Sequence, residues 1–297
     1  MPNDYPVNKE DRKLIEKFED TTREPASGYL VDYFGSKINV NFASHLHPSD
    51  RVLNIPIPSD GIFHEFIEYL GTALAMNTTN KESVTVMELG AGFGPWIVRS
   101  ALMARRTGIK KIIIVGVEAD KLHFDWMKQH ISDNGLSSVI SPDIQIDLIN
   151  AAVSQKERFL YFPELMENHE DWGAAASCGA SSFDYRGVQV KSKRIPALPI
   201  NKLLSSYKKI DLLHIDIQGS EFGVIKCGMK ALNQKARVMV VGTHSRKIEG
   251  DLIEMLFNNK WYLRNEKPCQ FYFDLNARSL EGMTSVDGTQ IWVNSRF

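Results

Sequence analysis

The apolar residues of this chain form short continuous runs that alternate with amphipathic segments. Continuous runs are typical of buried parallel strands, and apolar residues three or four positions apart are typical of helices that cover a sheet. The predicted strands cover residues 84–88, 111–117, 144–153, 210–216 and 237–241, followed by a closing antiparallel pair at 261–263 and 290–293. The predicted helices cover residues 97–106, 121–133, 220–232 and 247–259. The alternation predicts an α/β protein with a seven-stranded, mostly parallel sheet and helices on both faces.

Residues 1–80 precede the first of these strands and are predicted to form an N-terminal extension. Helical spacing marks the segments 11–20 and 62–76, and residues 29–42 between them favour short strands or irregular structure. We expect the extension to pack on the core domain, residues 81–297, where it could also contribute to an acceptor site.

A glycine-rich turn follows the first predicted strand, in the sequence V-T-V-M-E-L-G-A-G-F-G-P-W at 84–96. Gly90, Gly92 and Gly94 allow positive φ angles and let a ligand approach the backbone closely. Pro95 suits the first turn of the helix that follows, whose free N–H groups favour an anion. The dinucleotide fingerprint G-x-G-x-x-G requires a glycine at position 95, so the proline disfavours a nicotinamide cofactor.

Acidic and polar residues close the first three predicted strands. Glu88 precedes the glycine turn, and Glu118 ends the second strand, where a ribose diol would be hydrogen-bonded. The form E-x-G-x-G-x-G resembles the first motif of class I S-adenosylmethionine (SAM) methyltransferases. That resemblance implies that Glu88, the three glycines, Trp96 and Glu118 bind SAM. It also places Asn150 and Ala151, at the end of the third strand, beside the adenine.

A second motif, I-D-L-L-H-I-D-I-Q-G-S-E, occupies residues 210–221. Together with E-L-G-A-G-F-G, V-G-V-E-A-D and N-A-A-V-S, it makes roughly residues 84–265 resemble the FkbM-type family of SAM-dependent O-methyltransferases. The resemblance implies a Rossmann-like class I methyltransferase fold with SAM as the cofactor. It also implies a small-molecule acceptor that carries a hydroxyl, such as a sugar or a secondary metabolite.

The second motif departs from the usual FkbM form, D-l-l-K-i-D-v-E-G-x-E, at two positions. His214 replaces the lysine and Gln218 replaces the first glutamate, whereas Asp216 and Glu221 match. Because ligands bind at the carboxyl ends of parallel strands, we expect Asp216 and Gln218 at the same edge of the sheet as the glycine turn. The two departures leave open a non-catalytic SAM-binding or scaffold protein as the alternative function.

A histidine, His244, follows the fifth predicted strand in the sequence G-T-H-S. An alcohol must lose its proton as it attacks a methyl group, and a histidine of ordinary pKa can take that proton while a carboxylate orients the ring. His244 is therefore the predicted catalytic base, with Asp216 or Glu221 orienting it or hydrogen-bonding the acceptor. The alternative is a histidine that caps the next helix or packs as a satisfied polar group.

A divalent metal at the same three side chains is possible but not favoured. Mg²⁺ prefers oxygen ligands, and the set of two carboxylates with one imidazole would suit Mn²⁺ or Fe²⁺ better. We therefore predict no metal ligands. His123 and His130 are assigned to the polar face of the helix at 121–133.

The periodicity breaks in an expected insertion at residues 155–199. Its expected parts are a hairpin strand at 158–162, a long loop at 163–187 and a second strand at 188–194. Loops of this length inside compact domains tend to bind ligands, so Trp172, Tyr185 and Arg186 are the predicted acceptor-binding residues. A surface excursion without a function is the alternative.

Composition narrows the range of partners and compartments. The 35 basic and 36 acidic residues nearly balance, which disfavours nucleic acid and anionic membranes as partners. The three cysteines are far apart, so neither a disulfide framework nor a zinc site is predicted. A polar N-terminus and the lack of a long apolar window favour a cytoplasmic protein. The oligomeric state stays open, and a homodimer is possible.

Overall fold

A computed structural model describes residues 6–43, 45–46, 51–137, 143–165, 171–275 and 277–297. The strands in chain order are β1 (Tyr29–Val31), β2 (Lys37–Asn39), β3 (Arg51–Val52), β4 (Ser83–Leu89), β5 (Lys111–Glu118), β6 (Ile144–Asn150), β7 (Ala152–Ser154), β8 (Phe159–Pro163), β9 (Ser192–Pro199), β10 (Ile210–Ile215), β11 (Ala236–Thr243), β12 (Trp261–Lys267), β13 (Gln270–Phe271), β14 (Thr284–Val286) and β15 (Gly288–Asn294). The helices are α1 (Lys9–Glu16), α2 (Phe66–Thr78), α3 (Pro95–Arg106), α4 (Lys121–Asp133), α5 (Ile200–Ser205), α6 (Glu221–Lys235) and α7 (Arg246–Asn258), with 3-10 turns at Val40–Phe42 and Glu281–Met283.

The main sheet has seven strands in the order β12-β15-β11-β10-β4-β5-β6. The five strands from β11 to β6 are parallel neighbours, and β15 pairs antiparallel with both β11 and β12. This order reverses direction around β4 and places the antiparallel strand β15 between β11 and the edge strand β12, which is the class I methyltransferase arrangement of the Rossmann-like fold. The predicted mostly parallel sheet and its closing antiparallel pair are confirmed.

Helices cover both faces of this sheet, as predicted. Successive residues of a strand point to opposite faces, so Val86 of β4 joins one apolar cluster and Met87 joins the other. Helices α1 to α4 supply the first cluster, and α5 to α7 supply the second. Burial on both faces explains why these strands have continuous apolar sequences.

The N-terminal region packs directly on the core. Helix α2 contacts β10, β11, β15 and α3, so it is part of the helical layer itself. Arg99 of α3 is fully buried, its Nε donates to Asp32 Oδ2 at 2.6 Å, and its Nη2 lies 3.5 Å from Asp60 Oδ2. Its guanidinium also stacks over the rings of Tyr69 and Trp96. Buried ion pairs therefore join the N-terminal region to α3, the helix that follows the glycine turn.

Two expectations about strand boundaries, one before the insertion and one within it, need correction. The predicted strand at 144–153 is two strands, because the chain leaves the main sheet after Asn150 and pairs from Ala152 onward with β9. The second hairpin strand lies at Ser192–Pro199 instead of 188–194, although it contains Pro196. The Ala197 amide donates to the carbonyl oxygen of Arg158, the residue before β8, so the ring nitrogen of Pro196 points to the other side, where β7 begins pairing only at Ala197.

The hairpin of β13 and β14 near the C-terminus has no counterpart in the predicted elements. Each strand is only two or three residues long, so it leaves little periodicity in the sequence. The 3-10 turn at Glu281–Met283 leads directly into β14. It brings residues 281–287 toward the carboxyl ends of the parallel strands. Within the described ranges, no helix combines the length and apolarity needed to cross a bilayer.

Candidate active site

A cavity of about 470 Å³ opens at the carboxyl ends of β4, β5, β10 and β11. This is the edge at which the sheet order reverses, the usual ligand site of open α/β sheets. The loop at 171–187 and the segment 281–287 complete its walls. The predicted site residues in its lining are Glu88, Gly90, Gly92, Trp96, Glu118, Ala151, Trp172, Tyr185, Arg186, Asp216, Gln218 and His244. Three others, Gly94, Asn150 and Glu221, lie outside the lining.

The three glycines of the turn have positive φ angles, each with a separate steric reason. A Cβ at Gly90 would overlap the carbonyl oxygen of Asp216, so the turn crosses β10 too closely for any side chain. Gly92 faces the cavity. Gly94 is the N-cap of α3 with φ 74°, and a Cβ there would lie 2.8 Å from Met127 Cγ, so Gly94 permits helix packing.

Glu88 is buried beneath the turn and caps α3. Its Oε2 accepts hydrogen bonds from the backbone amides of Trp96 and Ile97, at 3.1 and 3.0 Å. A carboxylate at a helix N-terminus satisfies amides that lack a partner within the helix. Burial raises the pKa of Glu88 well above its usual range. The predicted cofactor residue is thus also a structural support of the glycine turn.

Glu118 links the glycine turn to the start of α4. Its Oε2 accepts from the amide of Gly92 and its Oε1 from the amide of Asp120, both at 2.7 Å. Burial raises the pKa of Glu118 to about 7. Asn150, predicted beside the adenine, instead donates to the carbonyl oxygens of Glu118 and Ala119, at 2.9 and 3.2 Å. The side-chain amide of Asn150 therefore links the ends of β5 and β6. Its neighbour Ala151 lines the cavity.

His244 lies between two carboxylates and is only 3% exposed. Its Nδ1 is 2.9 Å from Glu221 Oε1, its Nε2 is 3.3 Å from Asp216 Oδ1, and Asp287 Oδ2 lies 4.0 Å from Nε2. Burial by itself would lower the pKa of His244, but the adjacent Glu221 and Asp216 raise it well above 6.5. The expectation of an ordinary histidine pKa is therefore wrong.

Asp216 is the partner of His244 that faces the cavity. Burial by itself would raise the pKa of Asp216, but the hydrogen bond and charge of His244 lower it, so the carboxylate is ionised at neutral pH. Gln218 Nε2 donates to Asp216 Oδ1 at 3.1 Å. Gln218 has a φ of 52°, and its Oε1 accepts from the hydroxyl of Tyr185 at 3.2 Å. The glutamine thus connects Asp216 with the loop.

Glu221 is fully buried and holds the turn before α6. Its Oε1 accepts from the amides of Ile217 and Gly219, and its Oε2 also accepts from Gly219. Ligand atoms of Asp216, Glu221 and His244 come within 4.8 Å of one another. These residues nevertheless fit a metal ion poorly, because the Glu221 oxygens already serve backbone amides and the His244 ring.

The loop approaches the cavity on two sides. Trp172 stacks on His123, with ring centroids 4.1 Å apart and an interplanar angle of 6°, and its ring edge is 3.4 Å from the position of a Cβ on Gly92. Trp172 thus lies at the glycine turn, among predicted cofactor residues. Arg186 donates two hydrogen bonds of 2.7 Å to Asp171, which ties the ends of this part of the loop together.

Several lining residues have no counterpart among the predicted ones. Phe63, His64 and Glu68 come from the N-terminal region, and Glu281 and Asp287 come from the segment before β15. No sequence spacing relates these segments to the strand ends, so only the folded chain reveals them. His123 and His130, predicted on a polar helix face, are buried instead.

The profile of the methyltransferase FkbM domain matches residues 88–263, more than half of the chain. The chain belongs to the FkbM methyltransferase family. A protein of Jannaschia sp. (strain CCS1) named "Putative methyltransferase" is 27% identical to it over 262 residues, which cover 86% of this chain and 90% of that protein. The FkbM resemblance inferred from the motifs is confirmed.

Solved structures resemble this FkbM-family chain only distantly. The C-terminal domain of precorrin-6Y C5,15-methyltransferase from Rhodobacter capsulatus is 12% identical, with a TM-score of 0.39 over 80% of this chain and 91% of that chain. M. capricolum TrmK, solved in complex with S-adenosylhomocysteine, is 9% identical, with a TM-score of 0.35 over 75% and 67%. At these scores the fold assignment rests on the strand order alone.

The FkbM-family chain is a methyltransferase, and its cavity fits SAM as the methyl donor. Gly92 faces the cavity without a side chain, and Glu118, predicted to bind the ribose, lines the cavity at the end of β5. When bound, SAM supplies a methyl group activated by a sulfonium. The remaining chemistry belongs to the protein side chains.

Proposed function

We propose that this FkbM-family protein is an O-methyltransferase that acts on a hydroxyl of a small molecule, with a sugar or secondary metabolite as the acceptor class. The observation that carries the proposal is the His244 arrangement. His244 lines the cavity at the same sheet edge as the glycine turn, its Nε2 is 3.3 Å from Asp216 Oδ1, and its Nδ1 is 2.9 Å from Glu221 Oε1. A base fixed in this way is suited to deprotonate an acceptor.

The proposed roles follow from the charges. Glu221 orients the ring and stabilises the imidazolium that forms when His244 takes the acceptor proton. Asp216, ionised and half-buried, accepts a hydrogen bond from the acceptor hydroxyl or from Nε2. Tyr185 and Arg186 of the loop are proposed to contact the rest of the acceptor, because both line the cavity and Tyr185 donates to Gln218, the neighbour of Asp216.

An acceptor panel tests the reaction class. The protein is incubated with SAM and with glycosides, polyols and phenols, beside RNA and DNA oligomers, and release of S-adenosylhomocysteine is measured. We expect release with at least one hydroxylated small molecule and none with the oligomers, because the near-neutral chain offers no excess of positive charge. Transfer to RNA would contradict the proposal. SAM binding without transfer to any member would favour the scaffold alternative.

The pH dependence tests the base. Because the pKa of His244 is raised, its neutral form grows as pH rises, so kcat/KM should climb through a limb above pH 6.5. Glu221→Gln removes one negative charge and should move this limb down by about 1 to 3 pH units. Glu254→Gln, on the exposed face of α7, serves as the matched control and should leave it in place. A wild-type limb at or below 6.5, or no movement in Glu221→Gln, would refute the assignment.

A further inference from the structure

His214 is a buried polar residue of the cavity that the proposed methyl transfer does not use. It lies on β10 directly beside Glu88 of β4 and two residues before Asp216. The ring is 3% exposed and stacks on Trp96, with centroids 5.3 Å apart. Among the residues that the structure describes, neither ring nitrogen has a hydrogen-bond partner, and Glu68 Oε1 is 3.6 Å from Nε2. Because a buried polar group without a partner is costly, these nitrogens are suited to hydrogen-bond a group of a bound ligand.

Three other basic side chains of the cavity lie closer to a carboxylate than His214 does, whose neighbour Glu68 is 3.6 Å away. Arg186 is paired with Asp171 and Asp184, and His244 lies against Glu221. His64 is 3.3 Å from Asp60. An anionic ligand group entering this cavity would therefore find His214 available as a hydrogen-bond donor.

The strand order indicates which part of SAM would reach His214. Glu118, the ribose position, ends β5, whereas His214 belongs to β10, and β4 with its glycine turn lies between them. A cofactor that crosses the turn from the Glu118 side would direct its opposite end toward β10. That end of SAM carries an α-carboxylate and an α-ammonium group.

We propose that His214 and Glu68 form the site for the amino-carboxylate tail of SAM. The imidazole donates to the carboxylate, and Glu68 accepts from the ammonium group. Trp96 keeps the imidazole ring in place by stacking. The inference rests on SAM being the cofactor under the proposed function, and it adds α2 of the N-terminal region to the cofactor site.

Calorimetry with a full and a truncated ligand tests this site. S-adenosylhomocysteine carries the tail, whereas 5′-methylthioadenosine keeps the adenine, ribose and thioether but lacks it. His214→Phe retains an aromatic ring that can stack on Trp96 and removes both nitrogens. We expect it to weaken S-adenosylhomocysteine binding by about 10- to 100-fold and to change methylthioadenosine binding less than about 3-fold.

Two further variants make the test specific. Glu68→Gln, on α2, should show the same selective loss, and it guards against misfolding of His214→Phe. His123→Phe is the matched control, since His123 also lines the cavity and stacks on an aromatic ring, but lies on the Glu118 side. We expect it to change binding of both ligands by the same factor.

The outcomes separate this site from the proposed function. Equal losses for both ligands in His214→Phe and Glu68→Gln, or no loss in either, would overturn the tail site and leave the methyltransferase proposal intact. If the wild-type protein bound neither ligand, both proposals would fail.

Discussion

Replacing His244 with alanine is expected to lower kcat by about 10²- to 10⁴-fold, the usual contribution of a general base. The acceptor hydroxyl would lose the group that takes its proton, and Asp216 would lose the hydrogen bond and positive charge that lower its pKa. Binding of S-adenosylhomocysteine should survive, because the glycine turn and Glu118 are held by contacts that do not involve His244. Single-turnover methyl transfer and calorimetry measure the two effects separately.

Comparing the turnover of His244→Ala with its affinity for S-adenosylhomocysteine would also distinguish the alternative roles of His244. Turnover within about 3-fold of wild type would show that another group takes the proton, and the histidine would then be a packed polar residue. A joint loss of turnover and cofactor binding would show that His244 maintains the pocket. His244→Gln, which fills the same space with a non-basic amide, should be as slow as the alanine variant if the base assignment is right.

Replacing Arg99 with methionine is expected to lower the free energy of unfolding by about 3 to 5 kcal/mol, the cost of removing one partner from a buried ion pair. The Arg99 side chain is fully buried between the carboxylates of Asp32 and Asp60. Methionine would leave Asp32 without a cation in the interior and Asp60 with only the imidazole of His64 beside it. Urea denaturation at neutral pH measures the change in free energy.

A neighbouring arginine provides the control. Arg105 lies on the exposed face of the same helix, so Arg105→Met should change the free energy of unfolding by less than about 0.5 kcal/mol. Adding Asp32→Asn and Asp60→Asn to Arg99→Met should recover part of the loss, because the unpaired charges are removed. A loss below about 1 kcal/mol in the single variant would contradict the buried-charge account.

Much of the fold and part of the site could be predicted from the sequence. Buried parallel strands have continuous apolar sequences, and their carboxyl ends meet at one edge, so Glu118, Asp216 and His244 could be placed together before any coordinates. The glycine turn itself could also be recognised from its spacing, although the steric reason for Gly90 lies in a distant segment. Gly90 is needed because the backbone of β10 passes beside it.

Other features depend on contacts between distant segments. Helical spacing suggested a polar face for α4, yet His130 is buried because Ser36, next to β2, covers that face and hydrogen-bonds Nε2 at 2.9 Å. The raised pKa of His244 depends on two carboxylates from a different strand and helix. The sequence could not show whether the side chain of Asn150 faces a ligand or the protein, because a side chain at the end of a strand can point either way.

The hairpin of β8 and β9 brings the two ends of the loop together, with Pro163 paired to Ser192. The main sheet and its apolar clusters do not depend on the residues between these two positions for their strand pairing. A segment of different length and composition could therefore be grafted between them while the hairpin keeps its register. Under the proposed function, exchange of such cassettes among family members would change the acceptor range, and a cassette that keeps Trp172 would keep the contact with the glycine turn.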